Sequence, residues 1–221
     1  MDKIIIGFIP KNPKPNMLLL PLGGMGLFVL FYIMAALNYP GGSWILPNQD
    51  GFSFWHNYLC DLLDVNAING EINSARFYAI AALGFLCTGL FLLWFYLPRF
   101  FELRSFNQQI MRWSGLLSLT IIFFLAFGNH DKVVRIAGVF GVIAFITCSV
   151  ELFRAHHKNL FLLGALCLSA FLINYYIYET RSLIKSLPVI QKITFVLFIS
   201  WFICLDVTLY RNVRRTIKKT V

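Results

Sequence analysis

The side chains that could do chemistry are few, and they gather in short polar segments. His56, Asn57, Asp61 and Asp64 fall within "GFSFWHNYLCDLLDVN", which begins at Gly51. Arg76 follows it; His130, Asp131 and Arg135 form a second group, and Asn174 and Glu179 a third. Imidazole with carboxylate is a donor set for a metal that keeps an open position, so His56 and His130 with Asp61, Asp64 or Asp131 could hold one. No tight histidine spacing of the HExxH kind accompanies them, and no metal is assigned. Ser53 with a histidine and an acid would suit a serine hydrolase, but the elbow sequence such a nucleophile needs is absent. Glu151 and Asp206 lie near the ends of apolar runs, within reach of Arg154 and Arg211, whereas a proton relay wants acids at mid-bilayer. "PLGGMG" lacks the strand and the lysine of a phosphate loop and reads as helix packing. No cofactor is called for.

The elements that position these groups are set by lipid. Of the 221 residues, 58% are hydrophobic and 13% charged, against about 25% charged in soluble domains. Mean hydropathy is +0.71. A soluble fold could not bury this much apolar surface. A crossing helix needs about 20 apolar residues, and six runs qualify: 17–37, 75–97, 110–128, 133–153, 159–178 and 190–210. They are continuously apolar rather than alternating, which favours helices over a closed barrel. The fold class expected is therefore all-α, a polytopic membrane protein with a single 17–210 domain. Residues 1–16 form a cytosolic lead-in that does not read as a cleaved signal peptide, and 211–221 form a basic tail. The third and fourth runs are separated by "NHDK" and form an antiparallel hairpin. Ala137 with Gly141, and Ala165 with Ser169, offer small faces for close helix approach.

Direction follows from lysine and arginine. One side, with both termini, carries 13 of them and the other carries 6, which puts both ends in the cytoplasm. The net charge of +9 is distributed as that rule requires, so nucleic acid is not the partner. The expected location is the cell membrane, multi-pass, and the inner (plasma) membrane for a bacterial chain. Cys87, Cys148, Cys167 and Cys204 lie in apolar runs and only Cys60 in a loop, so no disulfide framework is expected.

On a helical wheel, residues 54–65 divide cleanly. Phe54, Trp55, Tyr58, Leu59, Leu62, Leu63 and Val65 fall on one side, and His56, Asn57, Cys60, Asp61 and Asp64 on the other. This predicts a short amphipathic helix lying on the outer leaflet, with Ser53 as its cap. Its polar face either meets bulk water and headgroups or lines a polar mouth at the outer end of the bundle. The groups that would converge on such a mouth are His56, Asn57, Asp61, Asp64, Arg76, His130, Asp131, Arg135, Asn174 and Glu179. Arg76 or Arg135 would pair with Asp61, Asp64 or Glu71, because a charge inside the apolar zone needs a partner.

"NYPGG", "FSFWHNYLCDLLD" and "NGEINSARFYAIAALGFLCTGLFLLW" occur in that order. The chain resembles the bacterial and archaeal six-helix membrane proteins of the "domain of unknown function 998" family. That family has a Tyr-Pro element after the first helix and an Asn-x-x-Ser-Asp-Leu element before the second. Here the latter reads Asn57-Tyr58-Leu59-Cys60-Asp61-Leu62, with cysteine where the family usually has serine. More distantly the chain resembles the damage-regulated autophagy modulator-like lipid-remodelling families. The likeness covers mainly 38–97. The first resemblance implies a fold; the second implies lipid handling.

The function expected is binding or remodelling of a membrane lipid, or another amphiphile, at the outer mouth. One alternative is a non-catalytic membrane subunit that docks a protein partner through the outer loop. The other is an intramembrane metal- or water-dependent hydrolase.

Overall fold

The structure is a computed structural model. It describes residues 15–101, 105–124 and 130–220, without the side chains of Pro15, His130, Asp131 and 216–220. The described chain is helical: α1 (Leu20–Leu37), α2 (Arg76–Tyr96), α3 (Phe106–Phe123), α4 (His130–Arg154), α5 (Lys158–Thr180) and α6 (Leu187–Thr220). A 3-10 turn, Pro15–Leu19, leads into α1 and another, Leu97–Phe100, extends α2. Among the described residues the only β pairing is two isolated bridges, Gly41–Asp50 and Asn66–Ile72, both in the segment between α1 and α2.

Five stretches are long and apolar enough to cross a membrane: Asn16–Leu37, Arg76–Phe100, Lys132–Arg154, Lys158–Thr180 and Ile184–Arg215. The chain is accordingly a helical membrane protein. Helix α3 does not reach that standard within its described length, because its first two turns carry Asn107, Gln108, Gln109 and Arg112. The apolar run expected there continues into 125–129, outside the described residues. The 1–16 lead-in likewise falls almost wholly outside them. The basic tail set apart at 211 is a continuation of α6, which runs to Thr220.

Neighbouring helices pack as antiparallel pairs. In α1 and α2 two glycines face each other: a Cβ on Gly24 would meet Phe85 O at 2.7 Å, and one on Gly89 would meet Pro21 O at 3.1 Å. The expected α3–α4 hairpin is present. Asn107 Nδ2 donates to Thr147 O at 2.9 Å and Ser118 Oγ to Ala137 O at 2.8 Å, a register in which one number rises as the other falls. The Ala137–Gly141 face is the one used, with a Gly141 Cβ position 3.2 Å from Ser118 Oγ. The Ala165–Ser169 face is not: Ser169 is exposed. Gly164 instead seats Trp201, whose Nε1 donates to Leu160 O at 2.9 Å. Trp201 is fully buried and stacks on Phe145 with ring centroids 4.4 Å apart, in a core that includes Leu93, Met111, Leu152 and Leu205.

Helix α3 starts sharply. Ser105 is extended and its side chain accepts from Gln108 N at 3.2 Å, an N-cap that satisfies one of the free amides of the first turn. Glu151 of α4, itself buried, closes this end. It accepts from Ser105 Oγ at 2.9 Å, Asn107 Nδ2 at 2.8 Å, Gln108 Nε2 at 2.8 Å and Arg154 Nη1 at 3.2 Å.

Candidate functional site: the segment capping one end of the bundle

Between α1 and α2 the chain makes a compact cap, 38–75, over the end of the bundle where α5 ends and α6 begins. The 54–65 helix does not form. A single turn closes through Asn57 N to Ser53 O at 3.0 Å, and a short 3-10 turn follows at Cys60–Leu63. The reason is competition from side chains for the backbone. Asn57 Oδ1 accepts from Ser53 N at 2.9 Å, and Asp61 Oδ2 accepts from Tyr58 N at 2.9 Å. The second bond takes an amide that a continuous helix would pair with Phe54 O, and the first ties Asn57 back to the residue ahead of the turn.

The two faces of the wheel are not kept: Asn57 is 0% exposed and Asp61 3% while Asp64 is exposed, and Leu62 and Leu63 are buried while Phe54 is 51% and Trp55 63% exposed. Asn57 is the hub. Its amide donates to Gly42 O at 2.7 Å and to Asp61 Oδ2 at 3.0 Å, and its oxygen accepts from Gln49 Nε2 at 2.8 Å as well as from Ser53 N. Two donors and two acceptors are all used, which is the full capacity of a carboxamide. Gly42 can approach this closely because it has φ of 84° and no side chain; a Cβ there would lie 2.5 Å from Asn69 N.

A second asparagine, Asn73, ties the end of the cap to its middle. It donates to Asp61 O at 3.0 Å and Asp64 O at 2.9 Å while accepting from Ala75 N at 3.1 Å. Arg76 Nε donates to Leu63 O at 3.0 Å.

Three residues far away in sequence hold the cap to the bundle. Lys192, one turn into α6 and 6% exposed, donates to Asn57 O and, at 3.0 Å, to Pro188 O. Its ammonium also lies 5.5 Å from the ring centre of Phe52 and 5.1 Å from that of Phe54, close enough for cation–π attraction. Gln191 accepts from Leu59 N at 2.9 Å, and Tyr32 of α1 donates to Leu59 O. Burial pushes the Asp61 carboxyl up to about 6, against the downward pull of the Asn57 and Tyr58 hydrogen bonds and of Lys192; Asp64 adds to the rise. The Tyr58 phenol is also raised, chiefly by burial, with Asp61 and Cys60 adding to it and Arg181 opposing.

Of the ten residues expected at the mouth, the structure brings Asn57 and Asp61 together and buries them. His56 is half-buried beside Ser53, with Nδ1 3.2 Å from Ser53 Oγ. Asp64 is exposed. Arg135 does not reach a cap acid. It pairs with Glu179 at 2.9 Å, joining α4 to α5. Asn174 is likewise a lateral tie, donating to Thr194 Oγ1 of α6 and to Ala170 O at 2.9 Å. The side chains of His130 and Asp131 lie outside the described residues. Among the described residues, no group of three His, Cys, Asp or Glu side chains comes together.

Lys192, Gln191, Tyr32, Gln49 and Asn73 were not among the expected site residues. Lys192 had a signal, since a lone lysine inside an apolar run needs a partner. At the other end of α6, Asp206 does not reach out to Arg211, as its sequence position suggested. It is 0% exposed, and neither carboxylate oxygen has a hydrogen-bond partner among the described residues.

No family model, no curated protein and no solved structure matches this chain.

Proposed function

We propose that the protein is a multi-pass membrane protein that binds a lipid, or another amphiphile, at its outer end, with the 38–75 cap as the recognition element. In this reading six helices cross the plasma membrane with both termini inside. The resemblance to the "domain of unknown function 998" proteins, and the more distant likeness to lipid-remodelling families, agree with it.

One observation carries the reading. The buried polar side chains of the cap, Asn57, Asp61 and Asn73, are spent internally and fix it as a platform, and what it presents outward includes, beside the acids Asp50, Asp64 and Glu71, a set of large apolar groups. Trp44 is 75% exposed, Trp55 63% and Leu46 47%. Tryptophan is the residue type that settles at the headgroup boundary, where one edge of the ring is apolar and the N–H stays wet. Recognition then comes from this rim and not from an open mouth lined by Asn57 and Asp61.

The test is lipid retained by protein purified in its native lipids, counted by native mass spectrometry. Replacing Trp44 and Trp55 by Ser is expected to lower retention severalfold. Trp113→Ser, at an equally exposed tryptophan on α3 toward the opposite end of the bundle, is expected to leave it unchanged. Equal retention in all three proteins would remove the reading. A rim that instead captures a protein would leave lipid retention intact in the cap variant.

A second reading, hydrolysis at the cap, has the Ser53–His56 contact in its favour, since a serine beside an imidazole nitrogen is the first requirement of an activated nucleophile. Ser53→Ala with no change in the lipid profile of producing cells would dismiss it.

A further inference from the structure

The turn between α5 and α6, residues 181–186, carries two exposed cations, Arg181 and Lys185, that form no ion pair with the cap or the core among the described residues. Arg181 and Leu183 both have left-handed backbone, with φ of 60° and 57°. That region is unfavourable for residues with a Cβ, and such strain is usually kept where the surroundings demand a particular display of side chains. What is displayed here is two cations and an apolar tip. Arg181, Leu183, Ile184, Lys185 and Ser186 surround a concavity of about 380 Å³. Leu183 is 76% exposed. The nearest acid in sequence, Glu179, is already engaged by Arg135. Among the described residues neither Arg181 nor Lys185 makes an ion pair, so the turn is a locally uncompensated positive site.

Its depth is marked independently. Tyr175 and Tyr176 are 45% and 62% exposed on the last turns of α5, and the Arg181 guanidinium lies 5.2 Å from the ring centre of Tyr178. A cluster of tyrosines at the end of a crossing helix is the girdle that sits at headgroup level. The basic turn stands immediately beyond it, where lipid phosphates lie.

We infer that the α5–α6 turn binds the phosphate of a net-anionic lipid headgroup, with Arg181 and Lys185 as its charge partners and Leu183 as the apolar tip between them. Arginine presents parallel N–H donors that match phosphate oxygens, while lysine supplies a point charge on the other side. This rests on the reading that this end of the bundle engages lipid, and it adds a headgroup class and a site separate from the cap rim.

The experiment uses the full chain in nanodiscs of phosphatidylcholine, with and without phosphatidylglycerol, and reads retained phosphatidylglycerol by native mass spectrometry. Arg181→Asn with Lys185→Gln is the variant, because asparagine accepts left-handed backbone readily and the fold is undisturbed. It is expected to bind phosphatidylglycerol about thirtyfold more weakly, as the loss of two near-surface cations implies. Lys132→Gln, an exposed charge at the start of α4, is expected to change retention little. Unchanged retention in the double variant overturns the inference. So does an equal drop in Lys132→Gln, which would mean a diffuse field only. Inorganic phosphate that displaces the lipid, or gives the same thermal stabilisation in pure phosphatidylcholine discs, overturns the choice of a lipid headgroup. If the double variant keeps phosphatidylglycerol while the Trp44 and Trp55 variant loses lipid, this site fails and the cap reading stands; the reverse result separates them the other way.

Discussion

Asn57 shows what a single buried carboxamide can organise. Its removal in Asn57→Ala would leave Gly42 O, Ser53 N and the Gln49 amide without their present partner and take one bond from Asp61. Several buried polar groups losing partners together are worth about 2–4 kcal/mol. The expected readout is faster hydrogen exchange across 38–75 with little change in α3 and α4. Asp61 supplies a pH dependence whose sign can be worked out. Its carboxyl is raised to about 6 from the usual 3.8, so the folded cap holds the proton more tightly than the unfolded chain does. The cap is then most stable below the unfolded value, loses stability as pH rises from about 4 to about 6, and changes little above that on account of this group. Asp61→Asn should flatten exchange protection across that interval; a slope that persists would place the titration elsewhere. The sequence made both residues visible as polar positions at helical spacing. It could not say which positions turn inward, because a wheel assumes a continuous helix that does not form here. The deciding partner, Lys192, lies 135 positions away in the chain.

At the scale of elements, the apolar runs located the six long helices, five of which lie in stretches long and apolar enough to cross a membrane, since hydrophobic length is nearly the whole requirement for a span. The boundaries moved where local chemistry intervened: α4 starts at His130, and α6 extends to Thr220. Glycine pairing makes a close contact between elements. Gly24 and Gly89 allow α1 and α2 to touch backbone to backbone. Gly24→Val would force those helices apart, at a cost of about 1–3 kcal/mol, measured as a lowered thermal midpoint in detergent. Gly26→Val is the matched control, because a Cβ there meets nothing within 4 Å. The "PLGGMG" stretch was legible as packing material; which of its glycines is in contact was not, because that depends on the rotation of α1 against α2. The amphipathic 54–65 helix failed for the opposite reason. Its pattern was clear, but Asp61 takes the Tyr58 amide that a continuous helix would use within itself.

For the molecule as a whole, the question is whether cap and bundle are one cooperative unit. Tyr32, Gln191 and Lys192 bond across that boundary from α1 and α6, and of these Lys192 carries charge. Lys192→Met keeps the length and apolar stem of the side chain while deleting both its donors and its attraction to Phe52 and Phe54. The expected result is a cap that opens on its own: exchange of 38–75 becomes faster than that of α2, whereas in the unaltered protein the two are protected together. If cap and α2 remain equally protected in Lys192→Met, the apolar contacts of Leu62, Leu63 and Tyr39 suffice to hold the cap.

The lysine under the cap also sets an order of events during biosynthesis. Residues 38–75 emerge from the ribosome long before α6 does, and domains made of early segments generally fold as soon as their partners exist. This early segment cannot complete its bonds until the final helix has been inserted. A chain arrested before residue 191 would leave Asn57 O, Leu59 N and two phenylalanine rings waiting, an unfinished surface of the kind membrane quality control would meet.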